Sequence, residues 1–255
     1  MKTIVCYGDS NTWGFIPATE EEPLSDGLVP EESARFPYGV RWPGALSRLL
    51  ENGPGGGSKS GLENGPGGNP NSGPGNAPGG GYLVVEEGLN GRTTAFNDML
   101  GKYRNGAKYI GVCLATNKPI DLLIIMLGSN DTKNYLRQTA AGITRGVERL
   151  VTIAFASGCG PGGGPPEILI ISPARLQDAI MSSRMRLEFD QASIQKSQEL
   201  AGLYFNLARR YGCYYMNASV YADASQTDGL HLDKKNHKKL AKAVCTKVLE
   251  IFGQP

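Results

Sequence analysis

Thr3-Ile4-Val5-Cys6-Tyr7-Gly8-Asp9-Ser10-Asn11-Thr12-Trp13-Gly14 decides how the rest of the chain is read. Thr3 to Tyr7 has the β-branched and apolar composition of a buried strand. At Gly8-Asp9-Ser10-Asn11 the run breaks into a cluster of turn formers. A serine at such a break stands at the carboxyl end of a first strand, the edge at which open α/β sheets bind ligands. Ser10 is then either a nucleophile or a cap for the helical turn that follows. What the later strands bring to the same edge separates the two readings.

Working outward, strands are predicted at residues 82–86, 121–127, 167–171 and 213–216. Residues 121–127 are apolar throughout, apart from Asp121, as in a central parallel strand covered on both faces. Helices alternate with these strands. Residues 41–50 carry Pro43 in a first turn and place Trp42, Leu46, Leu49 and Leu50 on one face. Residues 105–116 form a second helix that ends before Pro119. Residues 139–157 carry the stripe Ile143, Val147, Leu150, Val151 and Ala154. Residues 189–211 carry Leu200, Leu203, Leu207 and Tyr211. The last helix, residues 234–252, has Asp233 as N-cap and Gly253 as stop. Right-handed crossovers make this alternation an α/β fold, a parallel sheet with helices on both faces. Its expected order is 2-1-3-4-5, as in flavodoxin-like sheets.

Residues 52–81 are a different material. Glu51-Asn52-Gly53-Pro54-Gly55-Gly56 recurs as Glu63-Asn64-Gly65-Pro66-Gly67-Gly68, in a tract made almost entirely of Gly, Pro, Asn and Ser. Such a composition buries too little apolar surface to offset the entropy of ordering it. The tract reads as a mobile, Gly/Pro-rich surface insertion in one domain spanning residues 1–255. Gly keeps no strict three-residue period, which excludes a collagen-like helix. Residues 16–39 and 158–166 read as irregular loops.

Composition narrows the function. The 255 residues carry 26 basic and 24 acidic side chains, a net charge of +2. This balance gives no electrostatic reason to expect nucleic acid or an anionic membrane as partner. Cys6, Cys113, Cys159, Cys213 and Cys245 are odd in number, widely spread and free of any C-x-x-C pair, so neither zinc nor a disulfide framework is indicated. No apolar signal core follows Met1-Lys2 and no apolar run reaches membrane-spanning length, so a reduced, cytoplasmic setting is expected.

Chemistry needs a base for Ser10, and the chain has two histidines. His237 lies among Asn236, Lys238 and Lys239 and reads as a solvated surface residue. His231 lies in a loop, three residues after Asp228. A turn at Asp228-Gly229 brings that carboxylate back onto the imidazole, where it fixes the tautomer and stabilises the imidazolium. Past the strongest strand, Asn130 in Met126-Leu127-Gly128-Ser129-Asn130-Asp131 offers an amide donor to an oxyanion above Ser10. Past the second strand, Gly91 in Glu86-Glu87-Gly88-Leu89-Asn90-Gly91-Arg92-Thr93-Thr94 offers a backbone N–H, with that of Ser10 as a third donor. Each piece alone has an ordinary reading as a turn or loop residue. All four follow strands one, two, three and five, and so reach one edge of the sheet.

Gly8-Asp9-Ser10-Asn11, Gly91, Gly128-Ser129-Asn130-Asp131 and Asp228-x-x-His231 resemble the four blocks of the SGNH, or GDSL, hydrolase family. Arg41-Trp42-Pro43-Gly44 and the longer runs around Gly91 and Asn130 are similar to its bacterial arylesterase and acyltransferase branch. The likeness covers nearly the whole chain outside residues 52–81. It implies a three-layer α/β/α fold and a Ser-His-Asp triad of Ser10, His231 and Asp228. The oxyanion hole would be the Ser10 and Gly91 amides with the Asn130 side chain. It implies a small-molecule ester as substrate, of aryl, alkyl or sugar acetate type, with no cofactor and no metal. Some members of this branch transfer the acyl group to alcohols and assemble into homo-oligomers. Trp13 and Phe15 follow the nucleophile and are expected to line the approach to it, joined by Tyr38 and Trp42. The Gly/Pro tract and residues 175–190, which lack the Pro-rich aromatic character of that branch, depart from its pattern.

Other readings carry less. Gly158-x-Gly160-x-x-Gly163 follows a helix instead of a first strand and contains Pro161, unlike a dinucleotide site. No serine lies in G-x-S-x-G. His231, Asp233 and His237 lack a recognised ligand spacing and a fourth partner. A non-catalytic ester- or glycan-binding module on the same fold is the alternative of another class. Such a module should have lost a part of the site, and none is missing.

Overall fold

Residues 1–17, 35–52 and 81–253 are described in the computed structural model. The repeat-bearing insertion therefore falls almost wholly outside the described residues, as does most of the expected loop at 16–39. β1 (Lys2–Gly8) alternates side chains between two buried faces, Ile4 and Cys6 on one and Val5 and Tyr7 on the other. β3 (Leu122–Met126) does the same, and all five of its residues are buried. The pattern exists because β1 and β3 lie inside the sheet with a helical layer on each side. β2 (Tyr82–Gly88), β4 (Glu167–Ser172) and β5 (Tyr214–Asn217) complete a five-stranded sheet of order β2-β1-β3-β4-β5. All its pairings are parallel. Both the α/β class and the strand order are as expected.

One face packs Val5, Tyr7, Leu123, Ile125, Ile168 and Ile170 against α3 (Gly106–Asn117), α4 (Ala140–Phe155) and α5 (Gln191–Tyr211). The other packs Ile4, Cys6, Leu122, Ile124, Leu169 and Met216 against α2 (Trp42–Asn52) and α6 (Lys234–Ile251). The helix starts are specified locally. Side chains of Asn105, Thr139, Asp190 and Asp233 accept N–H groups from the first turns of α3, α4, α5 and α6. Each satisfies a donor with no intrahelical partner, worth about 1 kcal/mol. On α5 the buried stripe is Leu200, Tyr204, Leu207 and Ala208, with Leu203 and Tyr211 only partly covered. Among the described residues no helix is long and apolar enough to cross a membrane.

Two expectations are overturned. Trp42 does not line an approach to Ser10: it is fully buried between α2 and α6, among the largest side chains of that core. His237 is not on a solvated face: it is fully buried too. The lysines around it face outward, while His237, Leu240, Ala241, Val244 and Val248 repeat at helical spacing on the buried side of α6. Its Nδ1 accepts the backbone N–H of Trp42 at 3.3 Å, and the Phe36 ring meets it edge-on at 5.4 Å. Burial pushes its pKa down to about 3, so the ring is neutral.

Candidate active site

The site is assembled where β1 ends. Asp9 caps a single helical turn, α1 (Ser10–Trp13), its Oδ1 accepting the Asn11 N–H at 2.9 Å. Gly14, at φ 92°, stops that turn and donates its N–H to the Ser10 carbonyl. Asp9 rather than Ser10 is thus the cap, which leaves the Ser10 hydroxyl uncommitted to the backbone. Asn11, for which sequence reasoning gave no task, ties α1 to the histidine loop. Its Nδ2 donates to the Leu230 carbonyl at 3.3 Å and its Oδ1 accepts the Leu232 N–H at 2.8 Å. Both neighbours of His231 are therefore held by the residue next to Ser10.

The histidine loop folds around Asp228. Its Oδ1 accepts the N–H groups of Leu230 at 3.0 Å and His231 at 2.9 Å, and its Oδ2 lies 2.6 Å from His231 Nδ1. Gly229 makes this turn possible, at φ 72° and with no room for a side chain beside the Ile180 backbone. His231 Nε2 then lies 3.0 Å from Ser10 Oγ. The three groups form one hydrogen-bonded line, and all three residues are buried. Burial alone would raise the Asp228 carboxyl. The charge and hydrogen bonds of His231, with the Leu230 N–H, outweigh it and hold Asp228 below the usual carboxylate range.

The other two predicted blocks meet each other beside this line. Asn130 opens a short turn, Asn130–Thr132, after β3, and its Nδ2 donates to the Arg92 carbonyl at 3.2 Å. Asp131 accepts the Thr94 N–H and, at 2.6 Å, the Thr94 hydroxyl. Burial pushes Asp131 up to about 7, offset in part by those Thr94 bonds and reinforced by Asp9. Gly91 occupies the turn from Leu89 to Arg92 at φ 74°. Among the described residues no acceptor meets the N–H of Ser10 or of Gly91. Arg92 is a second residue whose part sequence reasoning missed. Its Nη1 donates to the carbonyls of Gly8 at 2.9 Å and of Glu87, joining the ends of β1 and β2. Neither Asn11 nor Arg92 is distinguishable in sequence from its motif neighbours, because Leu230 and Leu232, which Asn11 binds, and Gly8, which Arg92 binds, lie far along the chain.

Phe15 lies against the imidazole, with 4.4 Å between the rings of Phe15 and His231. Trp13 is 6.4 Å from Phe15, and the Arg35 guanidinium covers its indole at 4.7 Å. Tyr38 is buried beneath Arg41, with the guanidinium 5.5 Å from its ring. A cavity of about 890 Å³ lies elsewhere, among Met99, Leu100, Tyr103, Arg104 and Tyr109, and none of Ser10, Asp228 or His231 lines it. Of the three residues whose spacing suggested no metal site, His231 pairs with Asp228, Asp233 caps α6 and His237 faces the core.

No family model matches the chain, and no curated protein does. Solved structures do. Est24, a carbohydrate acetylesterase from Sinorhizobium meliloti, is 31% identical with a TM-score of 0.77, over 98% of this chain and 100% of that one. The aryl esterase of M. smegmatis is 32% identical with a TM-score of 0.77, over 98% and 99% of the two chains. A member of the lipolytic G-D-S-L family from Veillonella parvula, 14% identical with a TM-score of 0.57, shares the fold over 100% of each chain.

Proposed function

The chain belongs to the SGNH/GDSL hydrolase family and is a carboxylic ester hydrolase, and on that premise we propose that it cleaves short-chain aryl, alkyl or sugar acetates through an acyl-enzyme on Ser10. The line from Ser10 Oγ to His231 Nε2 at 3.0 Å and from His231 Nδ1 to Asp228 Oδ2 at 2.6 Å carries this reading. His231 Nε2 takes the hydroxyl proton as Ser10 Oγ bonds to the acyl carbon. Asp228 Oδ2 holds the proton on Nδ1, fixing the tautomer and stabilising the imidazolium. The carbonyl π electrons move onto the oxygen, which meets the Ser10 and Gly91 N–H groups and the Asn130 amide. On collapse the leaving alcohol takes the proton from His231 and departs. Water then gives its proton to His231 and attacks the acyl carbon, and Ser10 leaves reprotonated. Ser10→Ala should remain folded, lose turnover of p-nitrophenyl acetate by several orders of magnitude and fail to react with a fluorophosphonate probe. Near-normal activity in that variant would sink the assignment.

The same acyl-enzyme is proposed to accept small alcohols. Phe15 against His231, with Trp13 beyond it, gives the incoming nucleophile an apolar wall. Each CH₂ buried there favours an alcohol over water by about 0.8 kcal/mol. With vinyl acetate and benzyl alcohol in buffer, benzyl acetate should form beside acetate, and Trp13→Ala should shift the ratio toward acetate. Acetate alone over a wide alcohol range would limit the enzyme to hydrolysis.

A further inference from the structure

We infer that Asp98 is a positioning residue for the oxyanion side of the site, an inference that rests on the reading above. Two segments carry the donors beyond Ser10: the turn with Gly91 and the turn Asn130–Thr132. Asp98 holds two cations, one packed against the first turn and one directly following the second. Its carboxylate is entirely buried. Oδ2 accepts from Arg104 Nη1 at 2.8 Å and from Lys133 Nζ at 3.3 Å. Oδ1 accepts the Leu100 N–H at 2.9 Å and the Tyr135 hydroxyl at 3.0 Å.

Arg104 reaches the first segment. It packs so closely on Gly91 that a Cβ there would stand 2.5 Å from its Nε, and its carbonyl accepts the Thr93 N–H at 2.9 Å. Lys133 reaches the second. It follows the Asn130 turn directly, and its N–H donates to the Asn130 carbonyl at 3.3 Å. Glu188 supplies a second carboxylate, with its Oε2 2.6 Å from Lys133 Nζ and 3.2 Å from the Tyr135 hydroxyl. Burial works to raise Asp98, yet Lys133 and Arg104 hold its pKa below the usual range, so it stays anionic between the two cations. A buried ion cluster is weak support for stability as such, since apolar packing of equal volume serves as well. This one contacts both donor segments, and a donor displaced by about 1 Å costs on the order of 100-fold in rate.

Asp98→Asn keeps the shape and removes the charge, leaving Lys133 with Glu188 and taking from Arg104 the carboxylate that holds it. With p-nitrophenyl acetate, kcat should fall about 10- to 100-fold and KM should stay within about twofold. Combined with Asn130→Ala, the loss should be well below the product of the two single losses, because position matters only while the donor is present. Should Asp98→Asn fail to accumulate as folded protein, Arg104→Gln replaces it. That side chain is partly exposed, and its loss should lower kcat in the same way. An undiminished kcat in a folded variant, even with a lower unfolding midpoint, overturns the inference, and so do losses that multiply fully. A slow Asn130→Ala enzyme beside an undiminished Asp98→Asn overturns the positioning role alone. A fully active Asn130→Ala enzyme overturns the oxyanion reading and the role of Asp98 with it.

Discussion

Asn130 gives one amide hydrogen to the Arg92 carbonyl, which fixes the plane of its side chain and leaves the other hydrogen for a ligand. In the proposed reaction a donor held in this way needs no reorganisation when charge develops on the substrate, so its benefit falls on the transition state. Asn130→Ala should therefore lower kcat for p-nitrophenyl acetate by about 10²–10³ with KM little changed. A rise in KM alone, measured under steady state, would make Asn130 a ground-state contact. At this scale the sequence was informative wherever the partner is near in the chain. Asp228 and His231 are three residues apart, and the Gly229 turn that joins them is legible as a turn. Asn11 and Arg92 were not legible, because their distant partners Leu230, Leu232 and Gly8 are identified only once strands are paired. Asp98 was missed for the same reason: no periodicity relates it to Lys133 or Glu188.

At the scale of elements, α2 and α6 show how a strong local signal can mislead. Asn236, Lys238 and Lys239 beside His237 suggest solvent, but its spacing to Leu240, Val244 and Val248 is that of a buried stripe. Periodicity is the better guide, since long lysine side chains extend outward from a helix whose other face is covered. The buried ring accepts the first N–H of α2, a donor that the helix cannot satisfy itself. The consequence is a pH dependence whose sign is fixed. His237 titrates near 3 in the folded chain and near the ordinary 6.5 when unfolded. Between these values the unfolded state holds a proton that the folded state lacks, so this contribution is complete above pH 6.5 and is lost as pH falls. His237→Gln keeps an acceptor for the Trp42 N–H and cannot titrate. It should be less stable than the parent at pH 7.5, and the gap should narrow by about 2 kcal/mol at pH 5, at 1.4 kcal/mol per unit. Asp9 and Asp131, raised to about 6 and 7, titrate with the opposite sign but are common to both proteins and cancel in the difference. Denaturant unfolding at the two pH values measures it, and a constant gap would contradict the neutral buried ring.

At the scale of the molecule, the fold was readable because both faces of each inner strand are apolar while the helices carry one stripe each. That combination admits few arrangements other than two helical layers on a parallel sheet. The same geometry separates the site from the Gly/Pro tract. Ser10, Gly91 and Asn130 follow the carboxyl ends of β1, β2 and β3. The tract instead joins the end of α2 at Asn52 to the start of β2 at Tyr82, which pairs in register with Lys2 at the amino end of β1. Its attachment points are thus on the edge of the sheet opposite the chemistry. With few apolar side chains between residues 53 and 80, its removal should cost little buried surface. We propose that these residues form an insertion in the one catalytic domain. Replacing residues 54–79 by a short Gly-Ser bridge should leave the unfolding midpoint close to that of the parent and keep kcat and KM for p-nitrophenyl acetate within about twofold. Loop shortening acts on closure entropy only weakly, about 0.6 kcal/mol per halving, and in the stabilising direction. A deletion variant that loses activity while remaining monodisperse would place the tract against the catalytic edge. One that changes its sedimentation with activity intact would make the tract a contact between subunits.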